Sequence, residues 1–382
     1  MRIVAVSVLE YSRQLDGRSW NPSFRWTERR VPLVLIEADN GHIGVGEAWC
    51  RQTTIGTVLV HLSDVVAPRL PGLEVVGPES IAGIAAPMHT IAATGSEPWI
   101  AAAAASAIDM ALWDLLGRSR GQPLWRALGG QSNRVNVYAS GGLYRDGDGV
   151  DELAAEMRSY VAAGFRAVKM KIGALPLAAD LERVRAVRSA IGSEILLWTD
   201  AVNQLDRDTA IPWAGAMADA GAAAIQAPVP FSDLETMIRI NRECLPVIAG
   251  EAEHDLAGFE ELLASHAVTL VQPCLGLCGG LSGAGAIASR ARALAIGTTV
   301  QTFGTAVMQA ASLHWGAATT GVLSVEYHRF HDHLAPLLGA SLARIMEGGV
   351  ALSEEPGLGI SLPRPGPQTD GGEIRCHRHV IL

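Results

Sequence analysis

Of the 30 basic residues in this 382-residue chain, Lys169 and Lys171 are the only lysines, and the other 28 are arginines. Two lysines scattered at random would stand two apart roughly once in two hundred chains of this length. Arginine does not release its proton near neutral pH, whereas lysine does when its pKa is lowered, so a position that must act as a base cannot exchange one for the other. If the segment around them is a strand, residues two apart share a face and both ammonium groups point into one site. Held close, they should lower each other's pKa and leave one able to act as a neutral base. Asp200 and Glu251 follow at intervals. Oxygen ligands converging from separate strands suit a hard cation such as Mg2+.

The elements that must position these residues can be read from periodicity. After Gly130, short apolar strands alternate with amphipathic helices, the pattern of repeated βα units. Strand ends fall near Ala139, Lys171, Asp200, Gln226, Gly250, Gln272, Gln301 and Glu326. Eight such units predict an α/β fold, a closed barrel whose active site lies at the C-terminal strand ends. Ahead of it, residues 1–130 predict an α+β domain. It opens with a strand over 2–10 and a hairpin, 32–38 and 42–47, around Asp39-Asn40-Gly41. The intervening stretch with Trp20, Asn21, Pro22, Phe24 and Trp26 reads as a long loop of the kind that forms lids, and 98–117 as an alanine-rich helix. The expected domains are 1–130, a barrel over 131–339, and a segment over 340–382 that returns to the first domain.

Composition removes other classes. The formal charge of −9, without a basic run, disfavours nucleic acid and anionic membranes as partners. No apolar run approaches the roughly 20 residues of a membrane span and no signal segment leads the chain, which predicts a cytoplasmic protein. Five scattered cysteines, Cys50, Cys244, Cys274, Cys278 and Cys376, argue against a disulfide framework and for small buried thiols.

Several segments carry a resemblance: GVGEAW (44–49), AIDMALWDLLGRSRGQPLWRALGG (107–130), GFRAVKMKIG (164–173), IAGEAEHDLAGF (248–259), LVQP (270–273) with CGGLSGA (278–284), and VEYH (325–328). Together they resemble the mandelate racemase and muconate-lactonising branch of the enolase superfamily, in the family's order and over nearly the whole chain. The resemblance implies an α+β capping domain, a modified (β/α)7β barrel and one Mg2+ that binds a substrate carboxylate. Removal of the adjacent proton then gives an enediolate. A lysine or histidine base working with magnesium is an established property of that superfamily rather than a reading of these residues. By position, Lys171 would be the base, Lys169 would neutralise the substrate carboxylate, and Asp200 and Glu251 would hold the metal. A symmetric homo-oligomer is a further family expectation.

The chain departs from the family pattern at several sites. Gln226-Ala227-Pro228 stands where Glu-Glu-Pro is usual, which puts a neutral amide at a ligand position and predicts weaker metal binding. Asp200-Ala201-Val202-Asn203 carries one residue more than Asp-x-Asn, with Asn203 expected to touch metal or substrate. Phe303 and Cys274 occupy the places of a His-Asp dyad, and no lysine remains to serve as a base on the sixth strand. Racemisation needs acid–base groups on both faces of the intermediate, so a one-base reaction is favoured. The expected function is β-elimination of water from a small hydroxy-carboxylate, an acid sugar, with Lys171 serving as base and then acid. Tyr138 and His254 are alternative acids, and Glu326 is expected to hydrogen-bond the substrate or intermediate. Trp20, Phe24, Trp26, Trp49 and Arg51 are expected to form a lid that sets specificity, the alternative for the tryptophans being capping-domain core. The competing functions are a racemase or epimerase of a hydroxy acid or amino-acid derivative, and a silent carboxylate-binding relative. The retained lysine pair argues against silence.

Overall fold

A computed structural model describes residues 1–91, 97–330 and 344–382. Residues 340–343 of the returning segment lie outside the described residues. Strands β1 (Ile3–Gln14), β2 (Ser19–Trp20), β3 (Glu28–Ala38) and β4 (Ile43–Glu47) open the chain. The ladder between β1 and β3 runs from Ile3↔Ala38 to Gln14↔Glu28. It therefore extends past the expected end at residue 10, because backbone pairing does not require apolar side chains and Ser12, Arg13 and Gln14 continue it. The loop after β1 is correspondingly shorter than expected, and β2 gives it structure by pairing with a barrel loop.

Across this sheet lies the helix Pro98–Ser119, buried from Ile100 to Gly117. Its alanines let it approach closely: a Cβ on Gly44 or Gly46 would lie 2.1 Å or 2.0 Å from backbone oxygens of Ala111 and Ala107. Contrary to the expectation that no segment is long enough, this helix has the length and apolarity to cross a membrane, yet all of that stretch is buried inside the protein. Burial on every side explains its composition.

The barrel follows as β5 (Arg134–Ser140), β7 (Ala167–Lys171), β8 (Leu196–Asp200), β9 (Ala224–Gln226), β10 (Val247–Ala249), β11 (Leu270–Val271), β12 (Gly297–Val300) and β13 (Val322–His328), with β6 (Tyr144–Arg145) in the loop after β5. Each is parallel to the next, and β13 pairs with β5, so eight parallel strands close on themselves. Helices such as Val150–Ala162, Leu177–Ile191 and Ala306–Ala318 return the chain from one strand to the next. Inward residues alternate along each strand. At the base they are apolar, with Tyr138, Ala167, Trp198, Ala224 and Ile248 forming a plug. One layer higher, Lys169, Lys171, Asp200, Gln226, Gln272 and Glu326 are buried and polar.

The returning segment contributes β14 (Gly349–Ala351), antiparallel to β5, then β15 (Gly366–Pro367) and β16 (Glu373–Ile381). β16 pairs with β1, so the sheet order is β15-β16-β1-β3-β4. The capping and barrel parts are fastened by buried carboxylates. Glu47 on β4 accepts from the backbone N–H groups of Thr305 and Met308 at the start of the helix Ala306–Ala318. Asp114 instead ties the helix Pro98–Ser119 to β4 and to the returning segment, accepting from Val45 N at 2.9 Å and Leu358 N at 2.7 Å. Asp109 accepts from Ser282 N at 3.1 Å at the start of the helix Gly280–Ala293.

Candidate active site

Strand alternation on β7 turns Lys169 and Lys171 inward, where Asp200 of the neighbouring β8 accepts from both. Its Oδ2 lies 2.6 Å from Lys171 Nζ and 3.1 Å from Lys169 Nζ. Lys169 also pairs with Glu326 Oε1 at 2.8 Å and donates to Gln226 Oε1 at 2.8 Å. Gln226 in turn donates through Nε2 to Glu251 Oε2. The result is one chain of contacts, Glu326–Lys169–Gln226–Glu251, with Asp200 joining the two lysines.

The charges of this layer follow from that geometry. Burial disfavours charge on Lys169, but Glu326, Tyr138, Asp200 and Glu251 around it prevail and hold its pKa well above the ordinary value. The expectation that two adjacent ammonium groups would depress each other is overturned for Lys169, because acidic partners face it on both sides. Burial pushes the Asp200 carboxyl up, yet Lys171 and Lys169 pull it down to about 2. Glu251 is raised to about 7, by burial first and by Asp200 second, against the pull of the lysines. Burial opposes ionisation of Glu326, and Lys169 with His328 and Lys171 outweighs it, so its pKa is lowered.

The remaining expected residues divide. Glu326 has one oxygen on Lys169 and the other accepting from Thr302 N at 2.9 Å. Its place in this structure is that of counter-ion to Lys169. Tyr138, expected as an alternative acid near the end of the first barrel strand, lies in the apolar plug, its ring 4.5 Å from Trp198 and its hydroxyl accepting from Gln272 Nε2 at 2.8 Å. It sits one layer too low to meet a substrate above the lysines, since Lys169 Nζ lies 5.6 Å over its ring and it stands two residues short of Ser140, the partner of Lys169. His254 likewise is not gathered with the lysines; it lies beside Glu253, with Nδ1 3.6 Å from Oε1. The loop after β10 carries it outward.

Asn203 is half-buried in the loop after β8, where Val202 and Asn203 have φ of 54° and 58° and Ala227 of the neighbouring loop has 44°. Left-handed backbone at a β-branched valine is strained, and such strain concentrates where surrounding structure fixes a site. Asn203 N donates to Ala227 O at 2.7 Å, so the extra residue of this loop is absorbed in a knit with the loop carrying Gln226.

Above the layer stands an aromatic wall. Phe303 contacts Phe24 at 6.2 Å, Trp26 at 6.1 Å and His328 at 5.6 Å between ring centres, and Arg29 lies 4.6 Å over its ring. Phe24 is exposed on the outside of this wall, whereas Trp26 is fully buried and serves as core between capping and barrel parts. Trp20 is half-buried and stacks on Tyr144, Trp49 is half-buried against Trp99, and Arg51 is exposed. Cys274 is buried and bridged by backbone to Gln301. Two residues near the site escaped sequence reasoning. His328, two beyond Glu326 on β13, faces the same interior and is buried, its pKa lowered to about 3 chiefly by desolvation. Alternation from Glu326 along the strand was the signal. Arg29 gave none, because its place is set by the cap–barrel packing.

The residues that could hold a cation are Asp200, Glu251 and, through its amide oxygen, Gln226. Among the described residues no group of three His, Cys, Asp or Glu side chains converges as a metal site. Two carboxylates and one amide oxygen from adjacent strand ends still fit a hard divalent ion, provided the Gln226 amide turns its oxygen from Lys169 toward Glu251.

Comparison with known proteins accords with this geometry. Residues 152–365 match the enolase C-terminal domain-like family and residues 24–129 the mandelate racemase / muconate lactonizing enzyme N-terminal domain. D-galactarolactone cycloisomerase of Agrobacterium fabrum is 30% identical, over 95% of this chain and 97% of that protein. Arabinonate dehydratase of Saccharolobus solfataricus is 26% identical over 87% and 88% respectively. A racemase from Streptomyces coelicolor, solved with bound magnesium, superposes with a TM-score of 0.84 at 28% identity, covering 94% of this chain and 97% of that one. The chain therefore belongs to the mandelate racemase and muconate lactonizing family of the enolase superfamily.

Proposed function

We propose that this enzyme removes the α-proton of a small hydroxy-carboxylate, an acid sugar, and then eliminates the β-hydroxyl as water. The observation that carries this reading is the buried lysine pair around Asp200, with Lys169 held charged by Glu326 and Lys171 reaching toward the mouth. Asp200, Glu251 and the Gln226 oxygen would hold Mg2+, which when bound supplies a Lewis acid for the substrate carboxylate. Lys169 lies ready to meet that carboxylate and to offset the negative charge that grows on it. Lys171 takes the α-proton as the C–H bond breaks, giving an enediolate. As the electrons return, the bond from the β-carbon to oxygen breaks, and the leaving hydroxide takes the proton from Lys171 to depart as water. The enol product becomes a 2-keto acid. Tyr138 is set aside as the acid because it lies in the plug, and His254 because it lies beside Glu253.

Relatives named as a dehydratase and a cycloisomerase support chemistry on acid sugars. A second reading, epimerisation, is favoured by the aromatic pair Phe24 and Phe303, which suits a carboxylate with an apolar tail, and by the solved racemase. Incubation with acid sugars and hydroxy acids in deuterated water, read by mass spectrometry, separates the two. Loss of one water supports elimination. Deuterium uptake with inversion and no loss of water replaces it with epimerisation, and absence of both rejects proton abstraction. Lys171→Ala should abolish either activity while leaving the fold intact.

A further inference from the structure

We propose that Tyr144, Asp180 and Arg183 form a clamp that positions Lys171, and that Trp20 of the capping part holds the clamp in register. This rests on Lys171 being the base. Tyr144 lies on β6, beyond the first barrel strand, and pairs with Trp20 in the two-residue ladder of β2 and β6. Its ring is held on both faces. On one side Trp20 stacks at 4.6 Å and 22°, and on the other the Arg183 guanidinium lies 4.0 Å from the ring centre. The Tyr144 hydroxyl contacts both Asp180 oxygens at 2.8 Å and 2.7 Å and accepts from Ala174 N at 3.1 Å.

This assembly ends at the base. Arg183 donates to Asp180 Oδ1 at 2.8 Å, to the Lys171 carbonyl at 2.8 Å and to the Gly142 carbonyl at 3.1 Å. Asp180 Oδ2 accepts from Gly173 N at 2.8 Å, two residues beyond Lys171. Lys171 N itself donates to Gly142 O at 3.1 Å. Gly142 must be glycine for this approach: its φ is +59° and a Cβ would lie 2.5 Å from Met170 Cβ. Asp180 and Arg183 are both buried. They satisfy the backbone of the strand end, and none of their hydrogen bonds reaches the mouth.

A buried, bonded network of this kind fixes the strand end from which the Lys171 side chain projects. The face of Tyr144 opposite Arg183 is stacked by Trp20, a residue of the capping part. Trp20 is kept there by its ladder and by Nε1 donating to Asp146 Oδ1 at 3.1 Å. Displacing Trp20 frees the Tyr144 ring to tilt, and its hydroxyl then leaves Asp180. Registration of the lid segment and registration of Lys171 are thereby one event.

The chain's two lysines make the test direct, because selective 13C,15N-lysine labelling of the full chain gives only two lysine spin systems. In Trp20→Ala the Lys171 amide and Cε signals should move by more than a line width, while the Lys169 Cε signal, held by Glu326, stays in place. Tyr144→Phe, which keeps the stack and removes the hydroxyl, should move the same Lys171 signals, and Trp20→Phe should return them to the wild-type positions. Melting temperatures within about 2 °C of the wild type separate positioning from general loosening. Lys171 signals unmoved in both Trp20→Ala and Tyr144→Phe overturn the clamp. Deuterium uptake that survives Lys171→Ala overturns instead the assignment of the base.

Discussion

Asp109 offers a prediction whose size can be worked from the structure. It is fully buried on the helix Pro98–Ser119, its Oδ1 accepts from Ser282 N, and its Oδ2 has no hydrogen-bond partner among the described residues. Desolvation raises its pKa from 3.8 to about 7, against the hydrogen bonds from Ser282. In the unfolded chain the carboxyl ionises near its ordinary value while the folded protein still holds the proton. The contribution to stability is therefore intact below the unfolded pKa, falls as pH rises, and is fully lost once the folded carboxyl also ionises. At about 1.36 kcal/mol per pKa unit the whole loss is about 4 kcal/mol, of which about 2 to 3 kcal/mol falls between pH 5 and pH 8. Asp109→Asn keeps the shape and one acceptor oxygen but cannot ionise. Urea unfolding of both proteins at the two pH values isolates the term, because every other titrating group cancels in the comparison. The wild type should lose about 2 to 3 kcal/mol more than the variant on going from pH 5 to pH 8. Equal losses would show that Asp109 titrates normally in the fold and that the desolvation argument is wrong.

Lys171→Arg should lose at least about 1000-fold in α-proton exchange with the fold unchanged, because a guanidinium keeps its proton; exchange at the native rate would remove Lys171 as base. Gln226→Glu should bind Mg2+ at least about tenfold more tightly without substrate, since it adds a negative charge to two carboxylates. Equal affinities by titration calorimetry would place Gln226 away from the metal. Glu47→Gln should cost about 2 to 4 kcal/mol in urea unfolding, because Glu47 takes the N–H groups of Thr305 and Met308 as a buried acceptor close to Arg29. A change below about 0.5 kcal/mol would mean that this fastening is dispensable.

Much of the barrel was legible because strand ends announce themselves twice, by the close of an apolar run and by a polar residue facing the mouth. The strand ends expected near Lys171, Asp200 and Gln226 fall on those residues. Strand parity also placed Lys169 and Lys171 on one side. What parity does not give is height, and Tyr138 was misplaced for that reason: it faces inward but lies among Trp198 and Ile248. Nor does a sequence show which charges meet. Two lysines two apart suggested mutual repulsion, whereas Glu326, more than 150 positions further along, decides the charge of Lys169. The helix Pro98–Ser119 misled in another way, since apolarity on all sides reports burial without saying what does the burying.

The strand order β15-β16-β1-β3-β4 carries a consequence for synthesis. β1 begins at Ile3 and its neighbour β16 begins at Glu373, so the whole barrel is made between two adjacent strands of one sheet. While the ribosome elongates the barrel, one edge of β1 stands open, with the N–H and C=O groups that β16 will later engage exposed to other chains. At about 5 to 20 residues per second, that interval lasts on the order of tens of seconds. The nascent chain is thus most vulnerable to intermolecular strand pairing during that interval, until Glu373 to Ile381 arrives to close the edge.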